Sequence, residues 1–272
     1  MIYSNLVQIF GLISLFSKKI KTTPITLVVF LVILLRIPNL FEPYWYGDEA
    51  IYLTLGEGVR QGLTLYKDIF DHKPPLIYLL AAVAGSIFWF KFLLLVSHTV
   101  SVFMFWKLAE KLFGQSSLPG KSLKRAVFLA VGFYAFFTTL PMLEGNIANA
   151  EIFMSLPIIS GLLFIFSLKK ESLGKLYLAG IIFSMAVLYK VPAVLEIGAL
   201  FVFWFLMSWG NIGKLKYAFS KSIVLGLGVL TPIAITLVYY ATQGALSDYL
   251  SAGLLQNFGY IASWSAPAVS QA

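Results

Sequence analysis

The chain alternates between long apolar runs and short polar breaks. Apolar stretches of roughly 16 to 20 residues recur at Thr23–Phe41, Ala126–Pro141, Ala150–Leu168, Leu173–Tyr189, Ala193–Trp209 and Ile223–Ala241. Each is close to the roughly 20 residues that one bilayer crossing takes. The run Pro74–Phe113 is too long for one crossing and cramped for two. If it crossed twice, the loop with Lys107, Lys111, Lys121, Lys124 and Arg125 would face outward, against the tendency of basic loops to stay cytoplasmic. Pro74–Phe88 is therefore expected as an interfacial or partly re-entrant helix, with the second span at about Phe90–Leu108.

This gives an all-α integral membrane protein of about seven transmembrane helices, with interfacial helices in the first external loop. Residues 1–22 are expected as a cytoplasmic or interfacial N-terminus, with Met1–Phe16 as a candidate interfacial helix. Residues 23–241 form the transmembrane module, whose external loop is 42–89. The tail 242–272, with Tyr249, Leu250, Leu254, Leu255 and Phe258 at helical spacing, is expected as the start of an external loop in a longer protein.

Composition agrees with this. Apolar residues make up 59% and charged residues 12% of the chain, against about 25% charged in soluble domains. The formal charge is +8, but the cations lie in short clusters between apolar runs and form no nucleic-acid stripe. Of the 20 Lys and Arg, 14 fall in the expected cytoplasmic segments, with Glu110 and Glu171 the only acids there. There are no cysteines, which excludes disulfides and thiolate chemistry. No Gly-rich nucleotide loop, HExxH or nucleophile elbow is present.

Candidate chemistry gathers where the acids do. The first external loop holds Glu42, Asp48, Glu49, Glu57, Asp68 and Asp71. Tyr44-Trp45-Tyr46 marks an interface. Gly47 permits a turn into a short helix with Asp48 as its N-cap, its carboxylates exposed, and Ile51, Leu55 and Val59 on one face. Simple capping is the competing account of Asp48. Asp71-His72-Lys73-Pro74-Pro75 starts the next helix, since Pro favours a first helical turn. Lys73 there could clamp a phosphate at a helix N-terminus, and Asp71 and His72 could ligate a divalent cation; a solvated, snorkelling loop end is the alternative. In the second external loop Asn149 is expected to cap a helix whose first turn holds Glu151, so that Glu151 either complements the dipole or completes a two-acid site. Arg36, Lys190, Glu196 and His98 are isolated charges or ionisable groups within or beside spans. Lys190, before Val191-Pro192, is the best placed for function, and His98 is expected as a neutral ring bonded to a neighbouring helix.

Together these stretches resemble the polyprenyl-phosphate-sugar-dependent glycosyltransferases of the type C fold, the protein mannosyltransferase and lipid A aminoarabinose transferase group. The resemblance runs from Leu35-Arg36 through Asp48-Glu49-Ala50-Ile51-Tyr52, Gly62…Leu65-Tyr66-Lys67-Asp68, Lys73-Pro74-Pro75-Leu76 and Asn149-Ala150-Glu151 to Tyr189-Lys190. It implies an outward active site in the plasma or inner membrane, with the N-terminus cytoplasmic. It further implies transfer of a sugar from a polyprenyl-phosphate donor to an extracytoplasmic protein, lipid or glycan, for which inversion at the anomeric carbon is the expected course. By resemblance Asp48, Glu49 and Glu151 are catalytic, and Tyr52, Lys73 and Lys190 bind substrate. A divalent metal near Asp71 and His72 is the one cofactor implied; some relatives carry a carboxylate where His72 stands. A multi-span transporter or flippase of a lipid-linked or small polar substrate is the rival expectation, and would favour broken mid-membrane helices with paired charges.

Overall fold

The computed structural model describes residues 24–44, 46–169 and 172–256. The expected N-terminal segment with Lys18, Lys19 and Lys21, and also Trp45, Lys170, Glu171 and Phe258, lies outside the described residues. What is described is helical: α1 (Pro24–Arg36), α2 (Gly47–Arg60), α3 (Leu76–Ala84), α4 (Ile87–Phe113), α5 (Gly120–Phe137), α6 (Ala150–Ser167), α7 (Leu173–Tyr189), α8 (Val194–Met207) and α9 (Ile212–Thr242). Among the described residues the extended structure amounts to one isolated bridge, Leu65 with Ile69.

Four of these segments are long and apolar enough to cross a membrane: α1 with its following turn (Pro24–Phe41), α4, α6 and α9. The chain is a multi-pass membrane protein. α7 and α8 are shorter apolar helices; the 17 residues of α7 reach about 26 Å at 1.5 Å per residue, just under the roughly 30 Å hydrocarbon core. α3, nine residues long, is far too short to cross.

Several element boundaries differ from those expected, for local reasons. α1 stops at Arg36, because the Pro38 ring cannot continue the ladder and a 3₁₀ turn, Pro38–Phe41, follows. The expected helix Pro74–Phe88 is only Leu76–Ala84: Gly85 takes a left-handed conformation (φ 67°), which glycine adopts without Cβ strain. Ser86 then caps α4, its Oγ accepting from the Trp89 amide at 3.5 Å. α4 runs past the expected Leu108 to Phe113, its last turns carrying a Lys107–Glu110 ion pair. α5 begins two turns before the expected Ala126, taking in Lys121, Lys124 and Arg125. It closes where the Thr138 and Thr139 hydroxyls donate to the Tyr134 and Ala135 carbonyls. α9 extends back to Ile212 because Asn211 caps it, accepting from the Lys214 amide at 3.0 Å. Beyond Thr242, part of the expected external tail is wound as a turn at Leu246–Asp248 and a π-helical stretch at Tyr249–Leu255.

The helices pack as a bundle whose neighbours are α4 with α6, α6 with α7, and α7 with α9, while α1 and α5 flank α4. Glycines permit the closest seam. A Cβ on Gly180 of α7 would lie 2.1 Å from the Leu225 carbonyl oxygen, and one on Gly228 of α9 2.1 Å from that of Tyr177. Small residues letting backbones meet is how membrane helices gain packing where burial in lipid offers little drive. α2 and α3 form a second close pair, with Gly56 against the Ala81–Ala82 backbone.

The arrangement sorts charge to the two ends. At one end lie the C-termini of α1, α5 and α7, the N-termini of α4 and α6, and the α2–α3 pair, linked by the contacts described below. At the other, the C-terminal turns of α4 meet the starts of α1 and α5 around Lys107 and Lys124. Lys221 of α9 lies 4.3 Å above the Trp204 ring of α8 at that same end.

Candidate active site

Helix α2 brings the first acids into the bundle. Its N-cap is Tyr46, not Asp48, so the Asp48 carboxylate sits in the first turn and is free to reach across. Asp48 Oδ2 accepts from Lys73 Nζ at 2.7 Å and from the Tyr52 hydroxyl at 2.8 Å. The Tyr52 hydroxyl also lies 3.2 Å from Asn149 Oδ1, and Lys73 Nζ stands 4.8 Å from the centre of the Tyr52 ring. Burial alone would raise the Asp48 carboxyl, but the Lys73 hydrogen bond and charge, with the Tyr52 hydroxyl, outweigh it and hold the group below its ordinary value. Its side chain keeps 25% exposure against 8% for Lys73, so the carboxylate is the open member of the pair.

Glu49 was expected beside Asp48 at an exposed helix end and is instead fully buried, at 0% exposure. The inward stripe of α2 is Glu49, Tyr52, Leu53 and Gly56, at i, i+3, i+4 and i+7. Of the three residues expected on one apolar face, Leu55 is buried and Ile51 is 42% exposed. Glu49 Oε1 accepts from the Ala148 amide at 2.7 Å, and its Oε2 lies 3.6 Å from Lys91 Nζ. Burial pushes this carboxyl up, against the pull of the Ala148 amide and Lys91.

Lys91, 1% exposed, also faces Glu42 Oε2 at 3.5 Å, and that oxygen accepts from Asn146 Nδ2 at 2.9 Å. Two carboxylates thus share one ammonium, tying the loop before α2 and the loop before α6 to the second turn of α4. Sequence reasoning missed Lys91, Glu42 and Asn146. Lys91 is the sole Asp, Glu, Lys or Arg between Leu76 and Trp106, and a lone charge in an apolar run was the signal that could have found it.

The segment before α3 is held by tyrosines. Tyr78 donates to Asp71 Oδ2 at 2.6 Å and accepts from the Lys73 amide at 3.2 Å, while Tyr66 donates to the Lys73 carbonyl at 2.7 Å. These bonds fix the Lys73 backbone and aim its side chain at Asp48. Asp71 Oδ1 takes both the His72 amide at 2.8 Å and the His72 ring Nδ1 at 2.9 Å. The expected metal ligands therefore bond each other, and the second Asp71 oxygen is occupied by Tyr78. Among the described residues no group of three or more His, Asp or Glu is placed to hold a metal ion.

Asn149 caps α6 as expected, accepting from the Ala150 amide at 2.9 Å, and Glu151 occupies the first turn. Glu151 pairs with Lys190 at the end of α7. It shares no hydrogen bond with Asp48, but it stands near enough to Tyr52 that, after burial and Asp48, its charge helps raise that phenol. Asp48, Tyr52, Lys73 and Asn149 are thus brought together, with Glu151–Lys190 beside them.

Arg36 and His98 form a separate buried device. Arg36 donates Nε to His98 Nδ1 at 2.9 Å, and its terminal nitrogens donate to the Gly145 carbonyl at 2.9 Å and the Thr138 carbonyl at 2.8 Å. A ring nitrogen that accepts from arginine is unprotonated, so His98 is neutral and its Nε2 donates to Thr138 Oγ1 at 2.6 Å. Glu196, in the first turn of α8, has no described place in either cluster.

What the main cluster offers chemically is a part-open carboxylate, an ammonium with N–H donors beyond the one Asp48 takes, and a second acid–base pair nearby. No protein-family model, curated protein or solved structure matches the chain.

Proposed function

We propose that the protein is a membrane glycosyltransferase that moves a sugar from a polyprenyl-phosphate donor to an acceptor on the extracytoplasmic side. The single observation that carries this reading is the Asp48–Lys73–Tyr52 contact at the acidic end of an apolar bundle. The resemblance of the same residues to the type C glycosyltransferases supports it. In this reading all seven expected segments cross, α2 and α3 lie at the outer interface, and the basic end is cytoplasmic.

The chemistry needs two services. The leaving phosphate must be stabilised as its bond to the anomeric carbon breaks, and Lys73 is the donor for its oxygens. The incoming hydroxyl must be oriented and relieved of its proton, and Asp48 is the acceptor for it. The hydroxyl oxygen then bonds the anomeric carbon from the face opposite the departing phosphate, which inverts the configuration. Before substrate arrives, Lys73 holds the Asp48 carboxyl ionised; the donor phosphate and the acceptor hydroxyl then divide the pair between them. Tyr52 holds the Asp48 carboxylate, Lys190 is a second cation for the phosphate, and Glu151 is the second acid. Glu49 is assigned to hold Asp48 and the second loop in register. No step is routed through a metal, because Asp71 and His72 are committed to each other and to Tyr78.

The test is complementation of a deletion strain with the full-length gene, read by mass spectrometry of envelope glycolipids and proteins. Wild type should restore a sugar-sized mass increment, and Asp48→Asn should be expressed and membrane-inserted yet fail to restore it. An Asp48→Asn protein that restores the increment would remove Asp48 from catalysis.

A further inference from the structure

At the basic end, away from the acidic cluster, α1 and α5 leave a seam. Its base is a cavity of about 590 Å³ bounded by the starts of α1 and α5 and the last turns of α4, where Trp106 supplies an apolar wall and Lys107, Glu110 and Lys124 supply charge. Further along the same two helices a second cavity, of about 220 Å³, is lined only by apolar residues and glycine, among them Val32, Leu35, Phe128 and Gly132. Val28, Val32 and Ala135 form its buried floor, while Leu31, Leu35 and Phe136 stand exposed as its rims.

We infer that this seam binds one phospholipid with an anionic headgroup, the headgroup at the base cavity and an acyl chain in the groove above it. Three observations favour that occupant. The two cavities follow one another along the same helix pair, as a head and a tail require. Lys107 and Lys124 at the base outnumber Glu110, whose carboxylate is already taken by Lys107 at 3.2 Å, and Lys111, Lys121 and Arg125 lie within a turn of them along the chain. The groove is hollow where a chain would lie: a Cβ on Gly132 would meet nothing within 4 Å. Basic pockets between membrane helices favour anionic headgroups, each cation near the surface being worth about fivefold in affinity. The site stands whether or not the opposite end transfers a sugar.

The test is native mass spectrometry of the full chain in detergent, titrated with phosphatidylglycerol or phosphatidylcholine. Wild type should retain one phosphatidylglycerol in preference to phosphatidylcholine. Lys124→Gln and Lys107→Gln should each cut that preference about fivefold. Gly132→Leu, which fills the groove without touching charge and suits a helix interior, should weaken retention of both lipids. Lys214→Gln, at the same end but outside the seam, should change nothing. Equal retention of the two lipids overturns the inference, as does an effect of Lys214→Gln as large as that of Lys124→Gln. A disulfide between cysteines placed at Gly132 and within residues 1–22, formed with no lipid retained, would put this chain's own N-terminal segment in the groove and also overturn it. Unchanged thermal unfolding of each variant excludes misfolding as the cause.

Discussion

Lys73 and Lys91 are both buried lysines facing carboxylates, yet they do different work. Lys73 meets a carboxylate that stays part-open, so the pair can be divided by a ligand. Lys91 is itself fully buried and shared by two carboxylates, the enclosed Glu49 and Glu42, whose side chain keeps 26% exposure. The sign of the nearby shifts separates the two acids. Asp48 is held below its ordinary value and stays ionised through neutral pH. The Glu49 carboxyl is raised, so the stability it contributes is complete below the unfolded value of 4.5 and is lost as pH rises through the folded one. Thermal unfolding should therefore show wild type losing stability relative to Glu49→Gln as pH is raised from that value toward neutrality; a relative gain would show that Glu49 is stabilised as an anion by Lys91. Arg36→Leu strips donors from two carbonyls and His98 and should cost about 2–4 kcal/mol in denaturant unfolding. His98 as a neutral, helix-bonded ring was legible from its Ser97 and Thr99 neighbours. Its arginine partner was not, because the two residues are 62 positions apart and nothing local links them.

Elements were legible where local chemistry decides them. Asn149 before Glu151 announced α6, and Lys73-Pro74-Pro75 announced the start of α3. The expectation that Pro74–Phe88 does not simply cross agrees with a helix of nine residues, although Gly85 ends it sooner than hydropathy implies. The inward face of α2 was not legible. Its stripe includes Glu49 and Gly56, which no apolar periodicity marks, because one is buried by a hydrogen bond and the other by close approach to α3. The same logic governs α7 and α9. Gly228→Leu must push the Tyr177 backbone away and should cost about 1–3 kcal/mol of overpacking, read as a lower unfolding temperature in detergent. Gly226, where an added Cβ meets nothing within 4 Å, should accept the same change with little loss.

At the scale of the whole molecule, two ends of opposite character organise everything else. Positive charge gathers at one end, while the acids that meet Lys73, Lys91 and Lys190 gather at the other. Charge counting along the chain anticipated a separation of cations from acids, although Lys107 and Lys111 ride in the last turns of α4 and Lys121, Lys124 and Arg125 in the first turns of α5. What it could not supply is which acids meet which cations, since that depends on how α2 and α3 fold back over α4 and α6. The orientation that follows can be checked with single cysteines in a chain that has none of its own. Met142 and Trp209 are 93% and 83% exposed at opposite ends. In intact cells a membrane-impermeant maleimide should label Met142→Cys and should reach Trp209→Cys only after permeabilisation; the reverse pattern would invert the topology. The central claim, that the Asp48–Lys73 pair transfers a sugar from a lipid phosphate, is tested most directly by one assay. Purified full-length protein is incubated with polyprenyl-phosphate-linked sugars and envelope extract, and the release of polyprenyl phosphate is measured. Release by wild type that falls at least about a hundredfold in Asp48→Asn, in line with the loss of a general base, is the predicted result. Equal release by both proteins, with both correctly folded, would contradict it.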